Sequence, residues 1–230
     1  MAPHSWELVQ RQQNRVLIAI LLSPPLMVSI DWALAFDNLE RPEHTIMRLS
    51  GLPFGEARTQ AAYQCLNGGF QWLFFLDADV IPPPSALTQL LSYRLPICSG
   101  LYHQRFPTWT GEELKYLPCI FNEGIDANNN LVRTEVRDFQ YGQLLEVHYV
   151  PGGCLLVHRS VFETMLASGI KRFFEWSLHV DIPEGQGRSE DFEFCARARS
   201  IGIKVMAATG IQCIHEVPAK VGIKGLSAKI

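Results

Sequence analysis

The chain has 230 residues, 47% hydrophobic and 19% charged, so a packed core is expected and an intrinsically disordered chain is excluded. Its formal net charge is −3 and it has no long basic run. Nucleic acid is therefore not expected as a partner, because phosphate neutralisation needs clustered Lys and Arg. The length suits one sizeable α/β domain.

The first half of the chain alternates apolar strands with helical patterns, which predicts a mostly parallel sheet with helices on both faces. The elements predicted in this half are strand Arg15–Leu22, helix Val28–Leu39, strand His44–Leu49, helix Phe54–Leu66, strand Phe70–Leu76, helix Ser85–Tyr93 and strand Ile97–Tyr102. Val16 to Leu22 also resembles a signal peptide, but the run is short and Ser23-Pro24-Pro25 breaks it, so a buried strand is the preferred interpretation.

The pattern weakens from about Arg105 to Val147, where prolines and alternating segments suggest loops and antiparallel strands. Order returns with the predicted strand Cys154–His158, helix Ser160–Ser168, helix Glu190–Ile201 and strand Lys204–Ala208. We see no internal repeat and no linker, so residues 1–230 are expected to form one domain without a transmembrane span.

The six cysteines are widely scattered and none forms a Cys-x-x-Cys pair, so neither a zinc ribbon nor a thioredoxin site has support. Most lie in apolar runs, where a free Cys packs as a small core residue. A reducing, cytoplasmic setting is the simplest expectation.

The acidic triplet Asp77-Ala78-Asp79 directly follows the third predicted strand. Ligands bind parallel α/β sheets at the carboxyl ends of strands, and residues two apart on an extended strand point to one side. Two carboxylates converging there are costly unless a cation joins them, and their oxygens suit Mg²⁺ or Mn²⁺. A structural alternative stays open, in which Asp77 ends the strand and Asp79 caps a turn.

Two later segments carry further candidate groups. Ser189-Glu190-Asp191 begins a predicted helix after a polar, glycine-containing run around Gly185, and a carboxylate there can act as a general base. The same residues are explained moderately well as a helix cap with acidic residues in the first turn. His215 follows the last predicted strand and could add an imidazole to an oxygen-rich metal site, although a single His is more often structural.

In this order, these segments resemble GT-A glycosyltransferases, especially glycosyltransferase family 2. The resemblance covers about residues 15–216 and rests on Arg15–Leu22, Gly55–Ala61, Phe74–Asp79, Gly152–Val157, Ser189–Asp191 and His215. It implies a single GT-A (Rossmann-like) domain with a mostly parallel central sheet, helices on both faces and a smaller antiparallel acceptor-side portion. Residues 15–104 would form the nucleotide-sugar half, 105–216 the acceptor-side half and 217–230 a tail.

The resemblance also implies roles for particular residues. Asp77, Asp79 and His215 would hold Mn²⁺ or Mg²⁺, while Asp191 would be the general base of an inverting transfer and Glu190 would orient the acceptor. A retaining transfer, as in some GT-A enzymes, stays open as the alternative. The residues implied at the donor nucleotide are Ser23, Pro24, Arg58, Asp77, Ala78, Gly152 and Gly153. The donor would be a UDP- or GDP-sugar, and the acceptor a hydroxyl of a glycan, a lipid or a small molecule.

Two rival functions remain. Asp77 and Asp79 also fit the nucleophile and acid of a haloacid dehalogenase-like phosphatase, although about 75 residues precede them. A catalytically inactive nucleotide-sugar or glycan-binding module is the other. Lysines of the tail could contact a membrane surface. Several aromatic side chains could stack on sugars, with core packing expected for most of them; these are Tyr102, Phe106, Trp109, Tyr116 and Trp176.

Overall fold

The computed structural model describes residues 15–24, 26–177 and 187–217, together with the backbone of two short strands between 220 and 227. The predicted loop around Gly185 and the side chains of the tail lysines lie outside the described residues. Over the ranges described, every helix is too short or too polar to cross a bilayer.

Strands and helices alternate along the described chain. The strands are β1 (Val16–Leu22), β2 (His44–Ser50), β3 (Trp72–Asp77), β4 (Val80–Ile81), β5 (Ile97–Leu101), β6 (Thr108–Thr110), β7 (Glu113–Lys115), β8 (Phe121–Ile125), β9 (Leu131–Glu135), β10 (Leu144–Val147), β11 (Cys154–His158), β12 (Val205–Gln212), β13 (Ile214–His215), β14 (Lys220–Gly222) and β15 (Gly225–Ser227). The helices are α1 (Ile30–Asn38), α2 (Phe54–Asn67), α3 (Ala86–Ser92), α4 (Arg159–Ala167) and α5 (Glu190–Ser200).

Seven strands form the central sheet in the order β10-β12-β5-β11-β3-β1-β2. β1 pairs in parallel with β2 and β3, and β12 pairs in parallel with β5. β11 is antiparallel to both of its neighbours, and β10 is antiparallel to β12. β1, β2, β3, β5 and β12 therefore all end at one edge of the sheet, called the carboxyl edge below. Because β11 runs the other way, Gly152 and Gly153, which precede it, also lie there.

Helices pack on both faces of this sheet, as the unbroken apolar strands predict. On one face, Ala61 of α2 and Phe194 of α5 join Phe75 in one core cluster. On the other, Trp32 of α1 packs in a cluster with Phe74, because successive strand residues point to opposite faces. Five of the six cysteines are buried and all six are free, which agrees with their predicted place in the core.

The predicted α/β architecture is confirmed, and most element boundaries fall within two residues of those predicted. The last central strand is the main difference, since β12 continues to Gln212 through an irregularity after Ala208. Small residues in this stretch, including Thr209 and Gly210, interrupt the alternation of large apolar side chains from which a strand is predicted.

Antiparallel strands occupy much of the region between Arg105 and Val147, as predicted. β6 pairs with β7 and β8 pairs with β9, each as a two-stranded ladder. The expectation that most of the flagged aromatics pack in the core is wrong. Only Tyr102 of the five is buried, while the other four side chains are between 49% and 70% exposed; these are Phe106, Trp109, Tyr116 and Trp176. Trp109 lies on the short, largely exposed strand β6, and the other three rings lie in connecting segments.

Gly100 on β5 supplies a test of the packing between β11 and β12. A Cβ at Gly100 would lie 3.0 Å from the Cys154 Sγ and 3.1 Å from the Ile211 Cγ2. We expect Gly100→Ala to lower the free energy of unfolding by about 1–3 kcal/mol, as overpacking of a core does. A Cβ at Gly124 would meet nothing within 4 Å, so Gly124→Ala should change stability by less than about 0.5 kcal/mol. Urea unfolding of both variants measures this difference, and equal losses would contradict the packing described.

Candidate active site

Arg58 of α2 lies at the centre of a charged cluster beneath the carboxyl edge. Its side chain is 3% exposed. Its Nη2 donates to both carboxylate oxygens of Asp77 at 2.9 Å, and its Nε donates to Glu190 Oε1 at 3.3 Å. Its Nη1 donates to the carbonyl oxygen of Gly152 at 3.1 Å. One buried guanidinium therefore joins the end of β3, the start of α5 and the segment that enters β11.

The carboxylates around Arg58 keep it charged. Burial disfavours the guanidinium, but the nearby carboxylates of Asp77, Glu190 and Asp191 outweigh burial, and the pKa of Arg58 is raised. For Glu190, the effects that disfavour the charged form are the larger ones. Burial and the neighbouring Asp191 outweigh the attraction of Arg58, and they raise the pKa of Glu190 to about 7.

Asp191 is held with one oxygen toward the backbone and the other toward its own helix start. Its Oδ2 accepts from the Gly152 N–H at 3.2 Å, and its Oδ1 accepts from the Phe192 N–H at 2.9 Å. The Ser189 hydroxyl also donates to Asp191 Oδ1. Ser189 is the N-cap residue, as predicted, but its side chain makes no capping hydrogen bond. The helix start thus orients a half-buried carboxylate.

Gly152 and Gly153 are required by packing. A Cβ at Gly152 would lie 2.8 Å from the Arg58 Cζ, and a Cβ at Gly153 would lie 2.5 Å from the Tyr102 Oη. The Gly153 carbonyl accepts from the Asp77 N–H at 3.0 Å, and its N–H donates to the Tyr102 hydroxyl at 2.9 Å. These contacts account for both glycines, and their predicted contact with a donor stays a prediction.

Asp79 and His215 are brought together by the short pairing of β4 with β13. His215 lies opposite Val80 in this ladder, and the Glu216 N–H donates to the Asp79 carbonyl at 2.8 Å. The His215 Nε2 consequently lies 3.7 Å from Asp79 Oδ2. Asp79 and His215, two predicted metal ligands that are far apart in the sequence, therefore lie at one location.

A third residue, Arg105, contacts both of them. Its Nη2 forms an ion pair with Asp79 Oδ2, and its Nε donates to the His215 Nε2 at 3.0 Å. The His215 Nδ1 lies 2.8 Å from the carbonyl oxygen of His103 and must donate to it, since a carbonyl cannot donate. The Nε2 is then the accepting nitrogen. Burial and the charge of Arg105 lower the pKa of His215, which favours this neutral ring.

This arrangement fits a divalent cation. A carboxylate oxygen and an imidazole lone pair converge on one positive group, and both are ligands that Mn²⁺ accepts. Within the described ranges, no cluster of three or more His, Cys, Asp or Glu side chains is suited to a metal. A metal held by Asp79 and His215 would thus take its other ligands from water or a bound diphosphate. Asp77 has both oxygens on Arg58, and its role as a metal ligand stays a prediction.

The other predicted donor-site residues lie at the same edge. Ser23 and Pro24 are exposed and directly follow β1, while the Ala78 N–H donates to the Leu21 carbonyl at 3.2 Å. The Trp32 Nε1 donates to the Asp77 carbonyl at 2.9 Å and fixes the end of β3. Contacts of these residues with a nucleotide stay predictions.

One cavity among the described residues does not coincide with these groups. It has a volume of about 560 Å³ and lies between α2 and residues 172–176. Glu56, Thr59 and Trp176 contribute to its lining, whereas Asp79, Asp191 and His215 do not. The candidate site is placed at the cluster of charged side chains and not at this cavity, because the volume of a cavity does not identify a catalytic group.

The sequence alone did not single out Arg105 or the structural role of Tyr102. Arg105 is the fourth residue after β5, a strand that ends at the carboxyl edge, and that position is the signal that could have identified it. The sequence analysis gives Tyr102 only as one of several aromatic rings that could stack on a sugar or pack in the core. It is 6% exposed, and its ring lies edge-on to His215 with the ring centroids 5.0 Å apart.

No protein-family model matches the chain. No curated protein matches its sequence.

Solved structures do resemble it. A197 from STIV has 14% identity and a TM-score of 0.51, with 94% of this chain and 95% of that chain covered. GalNAc-T7, solved with UDP, GalNAc and Mn²⁺, has 13% identity and a TM-score of 0.47, with 88% and 43% covered. TarS 1–349 of S. aureus, solved with UDP-GlcNAc, has 9% identity and a TM-score of 0.49, with 89% and 59% covered. This chain thus spans less than two thirds of the GalNAc-T7 and TarS chains.

The likeness to A197 shows a shared fold over nearly the whole of both chains. The fold is GT-A-like. That agrees with the sheet order and with the fold expected from the sequence, and it assigns no activity.

The pH dependence of stability tests the described burial of the Glu190 carboxyl. Because the folded state raises its pKa from 4.5 to about 7, the wild type should lose stability as the pH rises through that window. Glutamine cannot ionise, so Glu190→Gln should gain stability relative to wild type between about pH 4.5 and pH 7. Urea unfolding at pH values across the window measures this difference.

Glu163→Gln is the matched control. Glu163 is half-exposed and its Oε1 pairs with an arginine Nε, that of Arg159, at 2.8 Å. Replacement of this exposed side chain should change stability by less than about 0.5 kcal/mol. A Glu190→Gln difference that is flat with pH, or that falls as the pH rises, would contradict the described burial of the Glu190 carboxyl.

Proposed function

We propose that this protein is a metal-dependent glycosyltransferase that moves a sugar from a nucleoside diphosphate sugar to an acceptor hydroxyl. One observation carries the proposal: Asp79 and His215 converge on a single cationic group at the carboxyl edge. The same edge holds Asp191, an oriented carboxylate whose Oδ2 has one hydrogen bond, from Gly152, among the described contacts. A cation position and an oriented base at the same edge of the sheet are suited to glycosyl transfer.

The donor is a UDP- or GDP-sugar bound across residues 15–104. Ser23 and Pro24 border the nucleobase, and their exposed position after β1 supports this role. Ala78, Gly152 and Gly153 line the path of the diphosphate and sugar. Placement of a ligand at the carboxyl ends of parallel strands follows the general rule for α/β sheets.

Asp79 and His215 would hold Mn²⁺ or Mg²⁺, and Asp77, whose charge acts on His215, would add to the negative charge of the site. When bound, such an ion offsets the negative charge that grows on the departing diphosphate. The fixed tautomer of His215 presents the Nε2 lone pair without a change of protonation at neutral pH.

Asp191 acts as the general base. As the acceptor oxygen bonds to the anomeric carbon, the bond from that carbon to the diphosphate oxygen breaks, and the acceptor proton passes to Asp191 Oδ2. Attack from the face opposite the leaving group inverts the anomeric centre. Hydrogen bonds from the Phe192 N–H and the Ser189 hydroxyl to Oδ1 keep Oδ2 directed away from α5.

Glu190 and Arg58 position these groups. Glu190 is 6% exposed and its described partner is Arg58, so it acts on the base through α5. A direct contact of Glu190 with the acceptor stays a prediction. Arg58 anchors Asp77 and the Gly152 carbonyl, and it thereby sets the distance between the cation position and the base.

Residues 105–216 form the acceptor side. Its exposed rings, including Trp109 at 70% and Trp176 at 49% exposed, suit stacking on a glycan or contact with a lipid or small-molecule acceptor. We further propose a cytoplasmic enzyme whose lysine-containing tail, residues 217–230, can contact a membrane surface.

Binding of nucleotide sugars tests the proposal and separates its parts. UDP-sugars or GDP-sugars should raise the thermal unfolding temperature only in the presence of Mn²⁺ or Mg²⁺. Asp79→Asn should lose this stabilisation. Asp191→Asn should keep the stabilisation and lower metal-dependent donor hydrolysis and transfer by at least about 100-fold, since a missing general base costs that much.

Asp37→Asn, at an exposed position of α1, is the control and should behave as wild type. Stabilisation without turnover in the wild type would favour an inactive binding module. Metal-dependent hydrolysis of a generic aryl phosphate, lost in Asp77→Asn, would favour the phosphatase. Absence of both binding and turnover with every UDP- and GDP-sugar would reject the proposed function.

A further inference from the structure

Arg105 occupies the position between the two proposed metal ligands. Its guanidinium contacts Asp79 Oδ2 through Nη2 and His215 Nε2 through Nε, the latter at 3.0 Å. These are the same two atoms that a divalent ion would use. The Nδ1 of His215 is engaged by the His103 carbonyl, so the ring has one lone pair to offer.

A guanidinium and a metal ion cannot use these lone pairs together. Arg105 is permanently charged, and at a few ångströms a positive charge also repels a divalent cation directly. The cation position is therefore satisfied by the protein itself when no metal is bound.

The side chain of Arg105 is able to leave while its backbone stays in place. The side chain is 47% exposed, so it can re-enter solvent at little cost. The preceding backbone is anchored, because the Gln104 N–H donates to the Leu117 carbonyl at 2.8 Å and His103 pairs with Pro118. Only rotations of a long side chain are needed to open the site.

We infer that Arg105 is an internal competitor for the metal position, which it fills in the free protein and vacates when metal and nucleotide bind. The inference rests on the proposed function, since it takes Asp79 and His215 as metal ligands. A donor diphosphate offers the released guanidinium a bidentate partner, which couples metal binding to nucleotide binding. Metal affinity in the absence of nucleotide is consequently held low.

Mn²⁺ binding to the free protein tests this inference directly. Electron paramagnetic resonance of unbound Mn²⁺, without nucleotide, would be compared for wild type, Arg105→Gln and Arg105→Ala. Both variants should bind Mn²⁺ about fivefold or more tightly than wild type, because a unit charge about 4 Å away is removed. Arg137→Gln is the matched control, since Arg137 is 48% exposed and forms one surface ion pair, with Glu135; it should bind as wild type. Thermal unfolding of each variant verifies that it is folded.

The outcomes separate this inference from the proposed function. Equal or weaker Mn²⁺ binding in both Arg105 variants, with binding lost in Asp79→Asn, would overturn the role of Arg105 and leave the metal site standing. Absence of Mn²⁺ binding without nucleotide in every form, including Arg105→Gln, would overturn the role of Arg105. Absence of binding also after UDP or GDP is added would overturn the metal site as well. Tighter binding in the two Arg105 variants that Asp79→Asn removes when combined with Arg105→Gln would support the inference.

Discussion

The burial of one arginine among three carboxylates is the constraint on which the candidate site depends. Arg58 is nearly without solvent contact, yet Asp77 and Glu190 each bind it and Asp191 lies close enough to act on its charge. Several acids gathered at one end of a sheet would repel one another without such a cation, and a buried charge left unpaired costs about 3–5 kcal/mol. The end of β3 and the start of α5 are thus held together by their ion pairs with Arg58. Position 152 is a glycine because the guanidinium occupies the space that a side chain would need.

Two arginines supply positive charge at the carboxyl edge, and they differ in how firmly their side chains are held. Arg58 is permanent, because its hydrogen bonds are buried and involve three separate segments of the chain. Arg105 is half-exposed, and the inference drawn above makes it exchangeable, because it contacts the two groups proposed as metal ligands. A permanent cation keeps Asp77 and the helix of Asp191 in place, and an exchangeable one would leave Asp79 and His215 available. Under the proposed function, this division would let an acidic site be rigid and still accept a cation.

The strands and most helices were predictable because uninterrupted apolar runs leave few alternatives for residues covered on both faces. The place of Asp77 and Asp79 at a strand end followed directly from that pattern. What could not be predicted were the contacts between distant segments. Arg58 meets Glu190 across 132 positions, and Arg105 meets His215 across 110. Such pairs depend on sheet order and on the small β4–β13 ladder, which hydrophobic periodicity does not encode. For the two glycines Gly152 and Gly153, the resemblance implies a contact with the donor, but the close packing of Arg58 and Tyr102 against them could not be predicted from the sequence.

If Asp79 and His215 form one cation position at the carboxyl edge, an imidazole nitrogen must be bound to the ion. Pulsed electron paramagnetic resonance of Mn²⁺ bound together with UDP or GDP detects nitrogen nuclei attached to the ion. We expect coupling to one imidazole nitrogen, lost in His215→Ala and unchanged in His44→Ala, whose exposed ring lies at the start of β2. Bound Mn²⁺ without nitrogen coupling, or with coupling that survives His215→Ala, would contradict this expectation.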